Sequence, residues 1–184
     1  MRPVFSLILL AAAASPLIFA AEPQAPSIGK LLDGQIRQVE SEVVSLAEAM
    51  PADKFNFAPT SGEFKGVRTF SQQMTHIATV IYQVSSGALG EKCPVEIGEN
   101  ENGAPSIQGK DAVVKYLKDS FAYGHKAAGA MTNANMMDLM PSPFGGQKAP
   151  RVSLVSMIPS HTFDHYGQAV VYARMNRIVP PASR

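Results

Sequence analysis

Of the 184 residues, one is cysteine and none is tryptophan, and only 17% are charged. A lone Cys93 excludes an intramolecular disulfide, so stability in any compartment must come from the apolar core or from a metal. Cys93 sits in the turn-like stretch Gly90-Glu91-Lys92-Cys93-Pro94 with no histidine base nearby in sequence, and reads as an incidental free thiol. Basic runs are missing as well. With 16 Lys+Arg against 15 Asp+Glu and a net charge of +1, the chain offers no stripe that would neutralise phosphates, which argues against a nucleic-acid partner. Apolar residues make up 46%, enough for a globular core and too many for a disordered chain.

Long apolar runs are confined to the N-terminus. Arg2 precedes an almost unbroken apolar stretch from Val4 to Ala14, Ser15-Pro16 break it, and Ala20-Ala21 offer a cleavage point. This pattern predicts a signal peptide over residues 1–21 and a mature, exported protein over 22–184, periplasmic in a two-membrane cell and free of the membrane once cleaved. Retention of the segment as an anchor is the alternative, since its length is near the lower limit for spanning.

Residues 22–184 read as a single all-α domain. Ser27 is placed to cap a first helix reaching Met50, with Ile28, Leu31, Leu32, Ile36, Val39, Val43 and Leu46 as its apolar stripe and Pro51 as its stop. Residues 51–68 form a long connection whose Phe55, Phe57 and Phe64 predict packing onto a helical body. Thr69 caps a second helix expected to run to about Val84, with Phe70, Met74, Ile77 and Ile81 inward and His76 at the edge of that stripe. A surface loop is expected over 85–109, and a third helix from Lys110 to Met131 with Val113, Val114, Leu117, Phe121 and Ala128 as its core face. Gly124 and Gly129 within it either weaken the helix or mark close approach of a neighbour. Residues 132–150 should form an ordered loop with room for a small hairpin, and a fourth helix should run from about Val152 to Asn176. Pro159 is expected to kink that helix or to mark its effective start. Four helices with long ordered crossovers make a bundle.

The fourth helix carries the chemistry. Leu154, Ile158, His161, His165, Gln168/Ala169, Tyr172 and Met175 follow the spacing of a buried face, and two imidazoles occupy it where Leu or Val would be expected. Buried imidazoles need partners, and histidines four apart on a helix can present nitrogens to one divalent ion. His76 can join them from the second helix. Three imidazoles would leave a coordination position open to water or substrate, the arrangement of a catalytic site. Asp164 and Gln168 are the candidate catalytic groups, the first as base or as partner to a ligand, the second as a pocket-lining residue; a solvated helix carboxylate is an equal reading of Asp164. The H-E-x-x-H signature of zinc peptidases is lacking. His125 reads as a core-edge or surface residue. Met74, Met131, Met136, Met137 and Met140 are not arranged in Met-x-Met repeats and read as core packing.

Thr75-His76-Ile77-Ala78, His161-Thr162-Phe163-Asp164-His165-Tyr166-Gly167-Gln168 and the closing Tyr172-Ala173-Arg174…Pro180-Pro181 together resemble the DinB/YfiT-like metal-binding superfamily, and most closely its exported bacterial branch. The resemblance implies an up-down-down-up four-helix bundle, often a homodimer. It also implies a divalent metal, commonly zinc or nickel, held by His76, His161 and His165. The choice of His76 over His125 rests on this resemblance. Characterised relatives include thiol-dependent transferases and isomerases that use cytoplasmic thiols, a chemistry at odds with an exported chain. A metal-dependent hydrolase or transferase acting on a small molecule is therefore one expectation, and a non-catalytic metal- or ligand-binding bundle of the cell envelope is the other. If the leader is removed, protein purified from its native host should have an intact mass beginning near Ala21 or Glu22; a full-length N-terminus in a cytoplasmic fraction would refute export.

Overall fold

The computed structural model describes residues 25–184, so the leader expected over 1–21 lies outside the described residues. Helix α1 spans Ile28–Ala49, begun by Ser27, whose Oγ accepts the Lys30 backbone N–H at 3.3 Å. Its buried stripe is Leu32, Ile36, Val39, Val43 and Leu46. Leu31, assigned to that stripe from sequence, is half exposed, because it lies one helical step round from the line that its neighbour Leu32 shares with Ile36.

The 50–69 connection packs down as its phenylalanines predicted, with one exception. Phe55 stacks edge-on against Phe70 at 5.4 Å and Phe57 against Tyr172 at 5.8 Å, whereas Phe64 is exposed near the Gly62 and Gly66 turns.

Helix α2, Phe70–Leu89, opens on a reciprocal capping box between Thr69 and Gln72. It runs five residues beyond the expected end at Val84. Ser85, Ser86 and Gly87 read as loop residues in sequence, yet here they are buried within the helix, which stops at Gly90 in the left-handed conformation (φ 71°). Ser86 Oγ donates to the Gln83 carbonyl at 2.8 Å. Gly87 is needed for space, since a Cβ there would lie 2.7 Å from the Pro141 carbonyl oxygen. Seventeen of the 20 residues of α2 are buried, so this is the central helix, and His76 sits inside the bundle rather than at a stripe edge.

Helix α3 spans Lys110–Gly129, and all five predicted core residues are buried. Gly124 marks a close approach: a Cβ there would touch Ile81 and Ile158 at 3.4 Å, whereas Gly129 faces open space. The anticipated hairpin is present as β1, Leu139–Pro141, antiparallel to β2, Lys148–Pro150, with Met140 opposite Ala149.

Helix α4 runs unbroken over Arg151–Met175, so Pro159 lies inside it and does not mark its start. Pro159 cannot donate to the Val155 carbonyl. In the adjoining turn, Ser160 Oγ bonds the Ser156 carbonyl at 3.1 Å. The buried face is Leu154, Val155, Ile158, Thr162, His165, Ala169 and Tyr172. His161 is half-buried at its margin, and Met175, expected on the face, is 48% exposed.

Pairs of residues across the helices fix their directions. Glu48 meets Lys118 while Gly29 meets Met131, so α1 and α3 are antiparallel. Gln73 meets Gln168 while Gly87 meets Leu154, so α2 and α4 are antiparallel. Thr79 meets Tyr116, and further along both helices Tyr82 meets Tyr123 and Ile81 meets Gly124, so α2 and α3 are parallel. The result is an up-down-down-up bundle with α2 against α3 and α4, and α1 closing the ring between them. None of the described helices is long and apolar enough to cross a membrane.

At Gly29 helix α1 lies tight against the end of α3 and the residues that follow it: a Cβ there would collide with the Met131 and Ala128 carbonyl oxygens. Replacing Gly29 by Ala should destabilise the fold by about 1–3 kcal/mol in urea unfolding. Gly34→Ala, in the same helix with nothing within 4 Å, should be neutral or stabilise by about 0.5–1 kcal/mol. Equal effects would show that the helix contact is looser than described.

Candidate metal centre

Helix α4 stacks His161 and His165 one turn apart, and the antiparallel α2 brings His76 opposite them. The ring centroids lie 4.5 Å (His161–His165), 4.6 Å (His76–His165) and 5.1 Å (His76–His161) apart. One nitrogen from each ring falls within 4.8 Å of the others, and this is the one such group of potential ligands among the described residues. His76 and His165 are 4% and 8% exposed.

Hydrogen bonds to the far sides of two rings determine which nitrogen each leaves free. His76 Nδ1 lies 3.2 Å from the Glu101 carbonyl, which can only accept, so Nδ1 carries the proton and Nε2 keeps its lone pair. His165 Nδ1 donates to Gln73 Oε1 at 2.6 Å, and Gln73 Nε2 donates onward to Gln168 Oε1 at 3.0 Å. That chain orients the Gln73 amide and again leaves Nε2 of His165 as the free donor atom. His161 Nδ1 is buried with no hydrogen-bond partner. A buried, unsatisfied polar atom costs about 1–3 kcal/mol, and a cation bound at that atom would satisfy it. The donor set fits a divalent metal: three neutral nitrogen ligands, two of them held in one tautomer by a second partner.

The electrostatics act in the same direction. Burial depresses the pKa of His161 to about 4, helped by the neighbouring His165 and His76. Burial likewise brings His165 to about 4, with His76 and Arg68 adding to it. His76 is lowered by burial and then by Arg68. All three rings are therefore neutral at neutral pH, the form that coordinates.

The groups singled out in the sequence separate on this map. His76, His161 and His165 converge. Gln168 is largely exposed but belongs to the site through Gln73. Asp164 is exposed and forms no hydrogen bond or ion pair among the described residues; its charge acts on His161 alone of the three rings. His125 lies on the α1–α3 face, its nitrogens 2.6 Å from Asp33 and 3.0 Å from Glu40.

Sequence reasoning missed Gln73, Arg68 and the 98–103 loop. Gln73 was detectable as a polar residue one turn before His76 on the same helix. The loop lies largely at the surface, as its composition predicts, and it also delivers the Glu101 carbonyl to His76 and the Asn100 carbonyl to Arg68. Asn100 and Glu101 hold left-handed backbone (φ 51° and 60°), a conformation that costs non-glycine residues free energy and that clusters at functional sites. Gly98 and Gly103 bracket the segment, and a Cβ on Gly98 would collide with the Gly103 carbonyl. Tyr172, from the Tyr-x-Arg motif, donates its hydroxyl to the Arg68 carbonyl at 3.1 Å and so ties the entry of α2 to α4.

A four-helix bundle with a buried three-histidine cluster between its second and fourth helices is the class that fold and site define. The sequence profile of the DinB superfamily matches residues 35–169, and the chain belongs to that superfamily. Solved structures share the fold at low identity. A DinB-like protein from Bacillus cereus superposes with a TM-score of 0.66 at 16% identity, covering 84% of this chain and 96% of that one. A conserved protein from Enterococcus faecalis gives 0.63 at 13% identity, covering 82% and 98%. A DinB-like protein from Bacillus subtilis gives 0.59 at 15%, covering 80% and 92%. No curated protein matches the chain.

The depressed histidine pKa values carry a sign. Between the ordinary 6.5 and about 4 the unfolded chain binds protons that the folded chain excludes at His161 and His165. Their neutral burial therefore weakens stability as pH falls through that window and has no such effect above it. Chelator-treated protein should lose melting temperature steadily from pH 6.5 to 5. The His161→Gln, His165→Gln double variant should show a flatter profile. Parallel profiles for the two proteins would contradict the assigned shifts.

Proposed function

We propose that the protein binds one divalent cation through His76, His161 and His165 and acts as a metal-dependent hydrolase or transferase on a small molecule. The observation that carries this reading is the convergence of three neutral imidazoles, two of them tautomerically fixed, with one nitrogen of each within 4.8 Å of the others. Three protein ligands leave room for a group of the substrate, and a bound cation supplies Lewis acidity there. Gln73 keeps His165 oriented and passes that constraint to Gln168, while Glu101 keeps His76 in place through its carbonyl. Zinc or nickel suits an all-imidazole set. The resemblance set out above supports an exported, periplasmic protein of residues 22–184 that forms a homodimer.

One observation favours a second reading, a non-catalytic metal- or ligand-binding bundle of the cell envelope. Asp164, the nearest candidate base in sequence, is exposed and unengaged, and no carboxylate among the described residues hydrogen-bonds to any of the three rings.

Elemental analysis of purified protein should give about one zinc or nickel per chain. His161→Ala or His165→Ala should abolish stoichiometric metal, His76→Ala should reduce it at least tenfold, and His125→Ala should leave it intact. Loss on His125→Ala with retention on His76→Ala would reassign the site, and no change in any variant would refute it. A metal-loaded protein inactive across a broad hydrolase and thiol-transferase screen would favour the binding reading.

A further inference from the structure

Gln73, which holds His165 from behind, is also one wall of a cavity of about 440 Å³ that none of the three histidines lines. Arg68, Gln72, Asn100, Asn102 and Gln168 form most of the rest. The cavity is thus a different space from the one that the inward imidazole nitrogens face. Arg68 is its one charged side chain, and its other polar side chains are all amides.

The positive charge is uncompensated. Arg68 is half-buried and forms no ion pair among the described residues; it donates from Nε to Asn102 Oδ1 at 3.0 Å and from Nη2 to the Asn100 carbonyl at 2.9 Å. A guanidinium has five N–H groups, so three remain without a protein partner there. The start of α2 next to it adds no free donor. Its first N–H groups are taken by the Phe57 and Phe55 carbonyls and by Thr69 Oγ1.

The amides are turned the same way. Asn102 Oδ1 accepts from Arg68, Gln72 Oε1 accepts the Thr69 backbone N–H at 2.9 Å, and Gln168 Oε1 accepts from Gln73 at 3.0 Å. The first two orientations are forced, because a guanidinium or backbone N–H can only donate. In all three residues the oxygen is consumed by the protein, and the NH2 group has no protein partner among the described residues. The engaged atoms are acceptors and the spare ones are donors, gathered round a single cation. Such a lining selects a ligand that is rich in acceptors and carries one negative charge.

We propose that this cavity binds a small polyhydroxylated monocarboxylic acid, with its carboxylate on Arg68 and its hydroxyl oxygens on the spare amide NH2 groups, at a site separate from the histidine cluster. A guanidinium fork matches a carboxylate in shape and charge. A phosphate monoester, with a charge of about −1.5 to −2 at neutral pH, would exceed the one positive charge available. The inference does not depend on the metal reading above.

The test is calorimetric titration of the purified protein at constant ionic strength with glycerate, threonate and gluconate, each compared with its own primary amide, which lacks the charge. At least one acid should bind saturably and about tenfold more tightly than its amide. Hexanoate, which has the charge without the hydroxyls, should bind about fivefold or more weakly than that acid. Asn102→Asp keeps the oxygen that accepts from Arg68 but supplies the missing negative charge and removes an NH2 group; it should weaken the acid about tenfold. Arg68→Gln should bring acid and amide within about threefold of each other, and the nearly isosteric Asn102→Asp serves if Arg68→Gln does not fold. Chelator treatment of the wild type should leave the affinity for the acid within about threefold. Three acids that bind no better than their amides overturn the inference, as does an affinity unchanged in both variants. Inorganic phosphate binding more tightly than every acid overturns the ligand class, and binding lost on chelation overturns the separateness of the site.

Discussion

Withdrawing three imidazoles from water at one helix–helix contact is the constraint on which the rest of the site depends. Burial is the largest cause of their lowered basicity; Arg68 adds to it at all three rings, His165 and His76 add to it at His161, and His76 adds to it at His165. Neutral rings in an apolar interior must still satisfy two nitrogens each. The surroundings satisfy the outer ones of His76 and His165, with a loop carbonyl and a glutamine amide, and the inward nitrogens are left together. Each supporting feature of the site answers that requirement.

The bundle supplies the geometry at little local strain. Because α2 and α4 are antiparallel and α2 is buried almost all round, residues of α2 at three-residue spacing, Gln73 and His76, can both engage the α4 face. Parallel packing of α2 on α3 in turn requires a crossover running the length of the bundle. This chain uses that crossover to bring Asn100, Glu101 and Asn102 to the site. Two of the three left-handed non-glycine residues among the described residues lie there, and their carbonyls are set against His76 and Arg68.

Much of the helical framework was legible because it is written in short-range signals. Ser27 and Thr69 as caps, the stripe from Leu32 to Leu46, and the core face from Val113 to Ala128 all act within one or two turns. Errors arose where tertiary burial overrode those signals. Ser85-Ser86-Gly87 remains helical because the hairpin and α4 cover it, and Gly87 is present for backbone approach rather than for flexibility. Leu31 and Met175 are apolar but exposed, and Phe64 stays outside the packed connection, since composition fixes affinity for a core and not position relative to one.

By itself the sequence determined four helices, their approximate limits, and the placing of His161 and His165 on one face of the last, because a helix fixes which residues align at a spacing of four. Only the tertiary structure decided that His76 lies within reach of them and that His125 is engaged by α1 carboxylates instead. The same holds for Gln73 and Gln168, which form a chain behind His165 across 95 residues of separation, and for Arg68, drawn beside the site by a loop that reads as surface. Contacts between elements depend on helix direction and crossover path, which are long-range consequences of packing the whole apolar surface at once, and no local pattern encodes them.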